Sequence, residues 1–402
     1  MVSKKALSLR GLSALSANTK AARKRVQRFR YGVIVDELGQ TPPGTDSDAR
    51  MLYDPLDEGA AVLYVESDNR VVASLRLRHA AASSLPSNME DKYQLNRFVE
   101  FGKGALATTG GITIDREWRN TPILAVLLAS VFKLCRENQV RFDFCQCTPD
   151  QLRLYRRLGY RHYAPAFSDG SGLKIPLVLL TEDLPYLSAV KSPFLNIAKG
   201  YDNPPDTRNW FSREFPDVDV ADSVPDMNED DFWVYLARRL HDIPQESVPL
   251  LHGLDSASAK KLVSSGAVLR CGAGETLLKA GESAAEMYVL LAGALEVRGG
   301  EDNKTVIATL SQGAVFGEVG FLSEEKRTAD VVSLADSEVL VLTRDFLEKM
   351  METNPKIAAR VLFNLSLTMC ERLAENTARL GNDAAPHAPD AHDTAPLAAV
   401  GA

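Results

Sequence analysis

Hydrophobic and polar positions along the 402-residue chain change rhythm twice. In the first part the periods are mixed. Tyr31, Val33, Ile34 and Leu38 share a helix face, with Gly39 as its stop. Ala61–Glu66 and Val71–Arg78 alternate as strands around the turn Ser67-Asp68-Asn69-Arg70. Residues 80–104 are irregular, and Leu106–Ile114 reads as a strand. Pro122 suits the first turn of a helix running from Ile123 to about Asn138, apolar nearly all round and therefore buried. A strand (Val140–Cys147), a short helix (Pro149–Leu158, stopped by Gly159) and another apolar strand (Ile175–Leu180) follow. Residues 200–230, rich in Pro, Asp and Asn, lose the periodicity and read as a linker leading to the short helix Phe232–Leu240.

From Val248 the rhythm becomes that of a β protein. After the helix Ser256–Ser264, the strands Met287–Leu291, Ala294–Arg298, Val306–Leu310, Ala329–Ser333 and Glu338–Thr343 alternate between glycine-marked turns. This spacing predicts a β-roll or jelly roll. Two closing helices, Arg344–Glu352 and Lys356–Leu380, end the pattern; the second aligns Ile357, Val361, Leu365, Thr368 and Arg372.

Composition changes this picture little. Charged residues make up 25% of the chain and hydrophobic ones 45%, as in soluble globular proteins. The net charge of -7 gives no nucleic-acid footprint, so DNA is not an expected partner. No apolar run has the length of a membrane span, and the N-terminus lacks a signal-peptide core. Five scattered cysteines point to reduced thiols and a cytoplasmic location. Cys145-Gln146-Cys147 has no second Cys/His pair nearby and reads as alternating strand positions, so no metal is expected. Residues 1–24 form a basic arm, suited to an acidic partner, to an anionic membrane surface or to plain solvation.

Candidate chemistry concentrates between Leu310 and Ser333. Phe316-Gly317-Glu318-Val319-Gly320 places glycines on both sides of a carboxylate, and Arg327-Thr328-Ala329 begins nine residues after Glu318. A carboxylate accepts from sugar hydroxyls, a guanidinium grips phosphate, and such a turn offers backbone N–H groups to an anion. This stretch resembles the phosphate-binding cassette of cyclic-nucleotide-binding domains, and the β pattern around it agrees. The resemblance implies that Glu318 holds the ribose 2′-OH and Arg327 the cyclic phosphate. It further implies that Gly317 and Ala329 complete the phosphate nest and that Thr328 adds a hydroxyl contact. The ligand implied is cAMP or cGMP. The long last helix would lid the base and pair two subunits as a homodimer, with Asn364 and Thr368 either at the base or on a plain surface.

The front half resembles the GNAT acyltransferase superfamily over about residues 25–195. The match rests on Ile114-Asp115-Arg116-Glu117-Trp118-Arg119 and on Leu154-Tyr155-Arg156-Arg157-Leu158-Gly159-Tyr160. Arg30-Tyr31-Gly32-Val33, Glu37-Leu38-Gly39, Asp54-Pro55-Leu56-Asp57 and the Val71–Leu77 strand are similar to autoinducer synthases and N-acyl amino acid synthases. The resemblance implies an acyl-CoA or acyl-ACP donor, a small amine acceptor, and a proton for the leaving thiol from Tyr155. It places Asp54, Asp57 and Arg76 at acidic and basic site positions, and Arg119 at the start of the pantetheine-phosphate loop. Packing for Tyr155, and a turn and helix cap for the two aspartates, are the plain readings. Two departures stand out. The phosphate loop, Arg119-Asn120-Thr121-Pro122-Ile123-Leu124, has no glycine. The Glu-x-Ser-Arg-Phe motif of autoinducer synthases falls either on Thr109-Gly110-Gly111, where Ser and Arg are missing, or on Gln94-Leu95-Asn96-Arg97-Phe98, where Gln stands for Glu and Asn for Ser.

The expected architecture is α+β: a GNAT-like mixed sheet with flanking helices over residues 25–198, a linker with a short helix over 199–245, and a β-roll nucleotide domain with closing helices over 246–381. A disordered tail (382–402) is expected to follow. Two functions compete, a cyclic-nucleotide-regulated N-acyltransferase and a non-catalytic nucleotide receptor with a degenerate docking domain. A catabolite-activator-type regulator ranks below both, because the residues after Gly381 offer no helix-turn-helix.

Overall fold

The computed structural model describes residues 12–81, 87–119, 121–169, 172–216, 218, 229–282, 286–300, 305–323 and 325–383. Most of the tail read as disordered, and residues 1–11 of the basic arm, lie outside these.

The front half is one mixed sheet. Its strands are β1 (Ala14–Ser16), β2 (Ala61–Ser67), β3 (Arg70–His79), β4 (Leu106–Ile114), β5 (Phe142–Cys147), β6 (Tyr160–His162), β7 (Phe167–Asp169) and β8 (Gly172–Leu180). They lie in the order β1-β2-β3-β4-β5-β8-β6, with β7 paired to β8. Every pairing is antiparallel except β4 with β5. The β2–β3 hairpin turns through Asp68 and Asn69, both at positive φ as that turn requires. Helix α1 (Lys20–Tyr31), capped by the Thr19 side chain, and helix α2 (Ile123–Glu137) flank the sheet, followed by α3 (Leu152–Leu158). Gly159 ends α3 at φ +114°, where a Cβ would stand 2.5 Å from the Leu187 side chain.

The folded region begins earlier than the basic composition suggests. Ala14–Ser16 pairs with β2, and Arg23 donates to the backbone carbonyls of Ala17, Asp57 and Ala60. Arg23 thus caps folded backbone. The stretch read as a linker is likewise divided between two cores. Helix α4 (Asp206–Glu214) and Phe215 bury Trp210, Phe211 and Phe215 against Phe98 and Phe142 of the front half. Helix α5 (Glu229–Leu240) buries Phe232, Leu236 and Leu240 in the rear core. Prolines and acids mask these aromatic and aliphatic positions in the sequence.

The rear half begins with α6 (Ser256–Val263) and builds two facing four-stranded sheets. Its strands are β9 (Ala267–Cys271), β10 (Thr276–Leu278), β11 (Glu286–Ala292), β12 (Leu295–Gly299), β13 (Thr305–Leu310), β14 (Val315–Phe316), β15 (Asp330–Ser333) and β16 (Ser337–Thr343). One sheet runs β9-β16-β11-β14 and the other β10-β15-β12-β13, all antiparallel. A short helix, α7 (Glu318–Ser323), interrupts the sandwich, and α8 (Arg344–Thr353) and α9 (Pro355–Asp383) close it. The two halves touch: the Leu173 N–H on β8 donates to the Glu286 carboxylate at the start of β11, at 3.3 Å.

Cys135, Cys145, Cys147 and Cys271 are buried, and Cys370 on α9 is exposed. Among the described residues no group of His, Cys, Asp and Glu could hold a metal ion, and no helix is long and apolar enough to cross a membrane.

Candidate functional site

The cassette residues gather around a cavity of about 700 Å³. Gly317, Glu318, Gly320, Arg327, Thr328 and Ala329 all line it. Gly317 sits at φ +79°, and a Cβ there would stand 3.0 Å from the Arg327 guanidinium. Glycine is therefore needed for both its conformation and its space. Arg327 is buried. Its two terminal nitrogens donate to the backbone carbonyls of Gly317 and Glu286, each at 2.7 Å, and one lies 3.6 Å from the Glu286 carboxylate. Its Nε is buried without a hydrogen-bond partner. An orphaned guanidinium N–H on a cavity wall suits an anion, because leaving it unmet costs free energy.

The last helix contributes differently from the sequence reading. Asn364 and Thr368 do not line the cavity. Asn364 donates to the carbonyls of Leu250 and His252, tying α9 to that turn, and the Thr368 hydroxyl donates to the Asn364 carbonyl. The helix is rotated so that its buried face carries Ala358, Val361 and Leu365. Arg372 reaches the cavity instead: it pairs with Glu318 at 2.5 Å and donates to the Val315 carbonyl. The signal lay in the sequence, since Arg372 is the one cation at the end of the apolar stripe that begins at Ile357.

The front half holds a second cleft, of about 480 Å³. It exists because β4 and β5 pair only from Leu106–Thr108 to Phe142–Phe144. Beyond that point the strands part, and Thr109–Ile114 faces Gln146–Thr148 across the gap. A register shift opens the pairing of β3 and β4 opposite Arg76, with Gly111 at φ +60°. A Cβ at Gly111 would stand 2.9 Å from the Arg76 guanidinium, so glycine admits that side chain to the cleft.

Tyr155 and Arg76 both line this cleft. Burial, reinforced by Cys145, Cys147, Asp143 and Tyr93, pushes the Tyr155 phenol well above its ordinary value, so it holds its proton. Arg76 pairs with Asp54 and lies 3.7 Å from Asp57. Asp54 also caps the short helical turn after it by accepting from the Leu56 N–H, which is its plain reading, and neither aspartate lines the cleft itself. Asp57 pairs at 2.6 Å with Arg30, which also donates to the Ser74 hydroxyl. Arg30 is a further member of this network; burial lowers its pKa and Asp57 opposes that. Its sequence signal was its place in the Arg30-Tyr31-Gly32-Val33 stretch, where the resemblance gave it no role.

Arg119 does not enter the cleft wall; it pairs with Glu37 at 2.7 Å and donates to the Ile114 carbonyl. Of the two stretches compared with the autoinducer-synthase motif, Thr109-Gly110-Gly111 lies in the cleft. Arg97 instead clasps Glu214, and Phe98 centres the aromatic cluster.

Comparison with known proteins matches two regions of the chain. Residues 26–183 match the family model "N-acyl amino acid synthase FeeM", and residues 268–354 match "Cyclic nucleotide-binding domain". Cyclic nucleotide-gated channel beta-3 of Mus musculus is 37% identical over 81 residues, which is 19% of this chain and 12% of the channel. The cAMP-activated global transcriptional regulator CRP of Pasteurella multocida (strain Pm70) is 36% identical over 107 residues, 26% of this chain and 49% of the regulator. The chain thus spans less than half of either relative. A solved cyclic nucleotide-binding domain from Methylobacillus flagellatus is 22% identical with a TM-score of 0.35, covering 38% of this chain and 86% of its own. The chain therefore joins a region that matches the N-acyl amino acid synthase FeeM model to one that matches the cyclic nucleotide-binding domain.

Proposed function

We propose that the protein is an N-acyltransferase regulated by a cyclic nucleotide. The front half moves an acyl group from a thioester, on coenzyme A or acyl carrier protein, to a small amine. The observation that carries this reading is the pair Tyr155 and Arg76 in one cleft of the FeeM-like region. The amine attacks the thioester carbonyl, and the protonated phenol of Tyr155 is suited to give the departing sulfur its proton. Arg76, Lys92 and Lys174 make the cleft cationic, which suits an acceptor that also bears a carboxylate. The buried network Arg30–Asp57–Arg76–Asp54 holds the Arg76 guanidinium at the gap.

The rear pocket takes cAMP or cGMP, with Glu318 on the ribose and Arg327 on the phosphate. Binding must displace Arg372 from Glu318 and draws Arg327 toward the ligand. Regulation is supported by Glu286, which touches Arg327 on one side and the Leu173 N–H on the other. Leu173 adjoins Lys174 of the cleft. A nucleotide that takes Arg327 from Glu286 thus changes a group bonded to the acyl-transfer half. Phe363, Leu367 and Leu373, exposed on α9, support pairing of two copies along that helix.

The test follows thiol release from acyl-CoA and acyl-ACP donors with a panel of amino acids, with and without cAMP or cGMP. A new N-acylated amine, identified by mass spectrometry, is the expected result. A receptor without catalysis is the second reading, favoured by the phosphate loop without glycines and by Arg119 being held on Glu37. Nucleotide binding by calorimetry with no turnover from any donor selects it.

A further inference from the structure

Asp143 lies on β5 at the point where β4 and β5 part, and it is fully buried. The other fully buried aspartate of this sheet region, Asp183, pairs with Arg161 at 2.6 Å. Asp143 has hydroxyls instead. Thr109 donates to its two oxygens at 2.8 and 2.9 Å, and Tyr160 donates to one of them at 2.7 Å. Thr109 in turn lines the acyl-transfer cleft beside Arg76 and Tyr155. One hydroxyl therefore separates the cleft from a carboxylate that no cation among the described residues pairs with.

Burying a carboxylate on neutral donors alone is costly, and an asparagine could accept the same hydroxyl hydrogen bonds. What only the acid provides is two protonation states. When ionised, Asp143 accepts, the Thr109 hydroxyl points inward, and its lone pair is open to an N–H in the cleft. When protonated, Asp143 donates to the Thr109 oxygen, and the hydroxyl proton turns toward the cleft.

We infer that Asp143, acting through the Thr109 hydroxyl, receives the proton that the acceptor amine loses during acyl transfer. The inference rests on the acyltransferase reading above. The amine nitrogen bonds to the thioester carbonyl carbon and the carbon–sulfur bond breaks. The nitrogen's proton passes to the Thr109 oxygen as that hydroxyl's own proton passes to Asp143. The departing thiolate takes the proton of Tyr155. Asp143 then releases its proton to solvent and Tyr155 recovers one, so one thioester and one amine give one amide and one thiol.

The surroundings fit a base near neutrality. Burial raises the Asp143 carboxyl to about 7, against the hydrogen bonds from Tyr160 and Thr109. The titratable groups facing it are Tyr160 on β6, Cys135 on α2, Cys145 on its own strand and Tyr155 on α3, and burial raises all four. They stay neutral while Asp143 titrates. Asp143 touches no reacting atom and is a positioning residue behind Thr109.

The experiment uses the full chain with the best donor and acceptor from the thiol-release panel. The pH dependence of kcat/KM is measured for wild type, Asp143→Asn, Thr109→Val and Thr109→Ser, with thermal melting as the check on folding. Wild-type kcat/KM is expected to rise through an apparent pKa near about 7. Asp143→Asn and Thr109→Val lose that limb and fall at least about tenfold, whereas Thr109→Ser keeps it. In parallel, infrared titration of wild type should show a protonated-carboxyl band that disappears near about pH 7 and is missing from Asp143→Asn. A wild-type limb and rate in Thr109→Val or Asp143→Asn overturns the relay and leaves Asp143 as a tie between strands, with the acyltransferase reading intact. A carboxyl already ionised well below neutrality overturns it as well. Should Asp143→Asn fail to fold, the two Thr109 variants decide. Wild-type protein without turnover on any donor overturns the acyltransferase reading, and the relay with it.

Discussion

The two pockets manage charge in opposite ways. In the rear pocket, the ligand-facing groups come from one short cassette, with Glu318 and Arg327 nine residues apart, and each is held at the cavity by a partner from elsewhere. In the front cleft, the groups come from distant segments: Asp54 and Asp57 before β2, Arg76 on β3, Thr109 on β4, Asp143 on β5 and Tyr155 on α3. Each charge of the rear pocket is already paired, and the proposed nucleotide would exchange partners with it. In the cleft the ionic network brings one cation, Arg76, to the gap, beside the Thr109 hydroxyl and the Tyr155 phenol. The first arrangement suits reversible binding. The second suits proton movement.

Exchange of a single oxygen at Tyr155 breaks this contrast most sharply. Tyr155→Phe keeps the packing against Tyr160 and removes only the hydroxyl. A fall in kcat of about a hundredfold or more is expected, within the range of general acid catalysis. An unchanged kcat, read by thiol release, would make Tyr155 a packing residue.

On the rear side Arg327→Ala should weaken cAMP or cGMP by at least about tenfold, since hydrogen bonds to charged groups contribute roughly 1.5–3 kcal/mol. Calorimetry checks this, and equal affinity would remove Arg327 from the phosphate. A smaller effect is expected at the junction. Glu286→Gln should reduce the ratio of turnover with and without nucleotide toward one, where allosteric couplings usually span about 5–150-fold. A ratio as large as in wild type would move the coupling to another contact.

The smallest effect is on stability. Asp143 has a raised folded-state pKa, so its contribution to stability is complete below its unfolded value and is lost as pH rises through about 7. Asp143→Asn should therefore melt at a higher temperature than wild type above neutrality, with the gap closing as the pH falls toward about 4. A gap that does not vary with pH would mean that Asp143 has an ordinary carboxylate pKa.

The same contrast explains what the sequence made legible. The cassette could be read because its geometry is local: glycine, carboxylate and guanidinium meet within one turn and its return. Most strands of both halves were legible from alternation, and α2 from its apolar surface. The elements that escaped were those whose partners are remote. Helix α4 looked like linker because Trp210, Phe211 and Phe215 find their counterparts at Phe98 and Phe142. Arg372 and Arg30 gain meaning only from Glu318 and Asp57, each far away along the chain. Asp143 reads as an ordinary strand position until Thr109 and Tyr160 are brought to it.

The distribution of cysteines gives the wild-type chain a built-in reporter. Four thiols are shut inside the two cores, and the fifth, Cys370, stands on α9 two residues before the arginine that closes on Glu318. A maleimide dye should therefore label one position, with no engineered mutation. The rate of that labelling reads the helix directly: a rate that changes when nucleotide is added follows the release of Arg372, and a rate that falls with protein concentration follows one copy covering another.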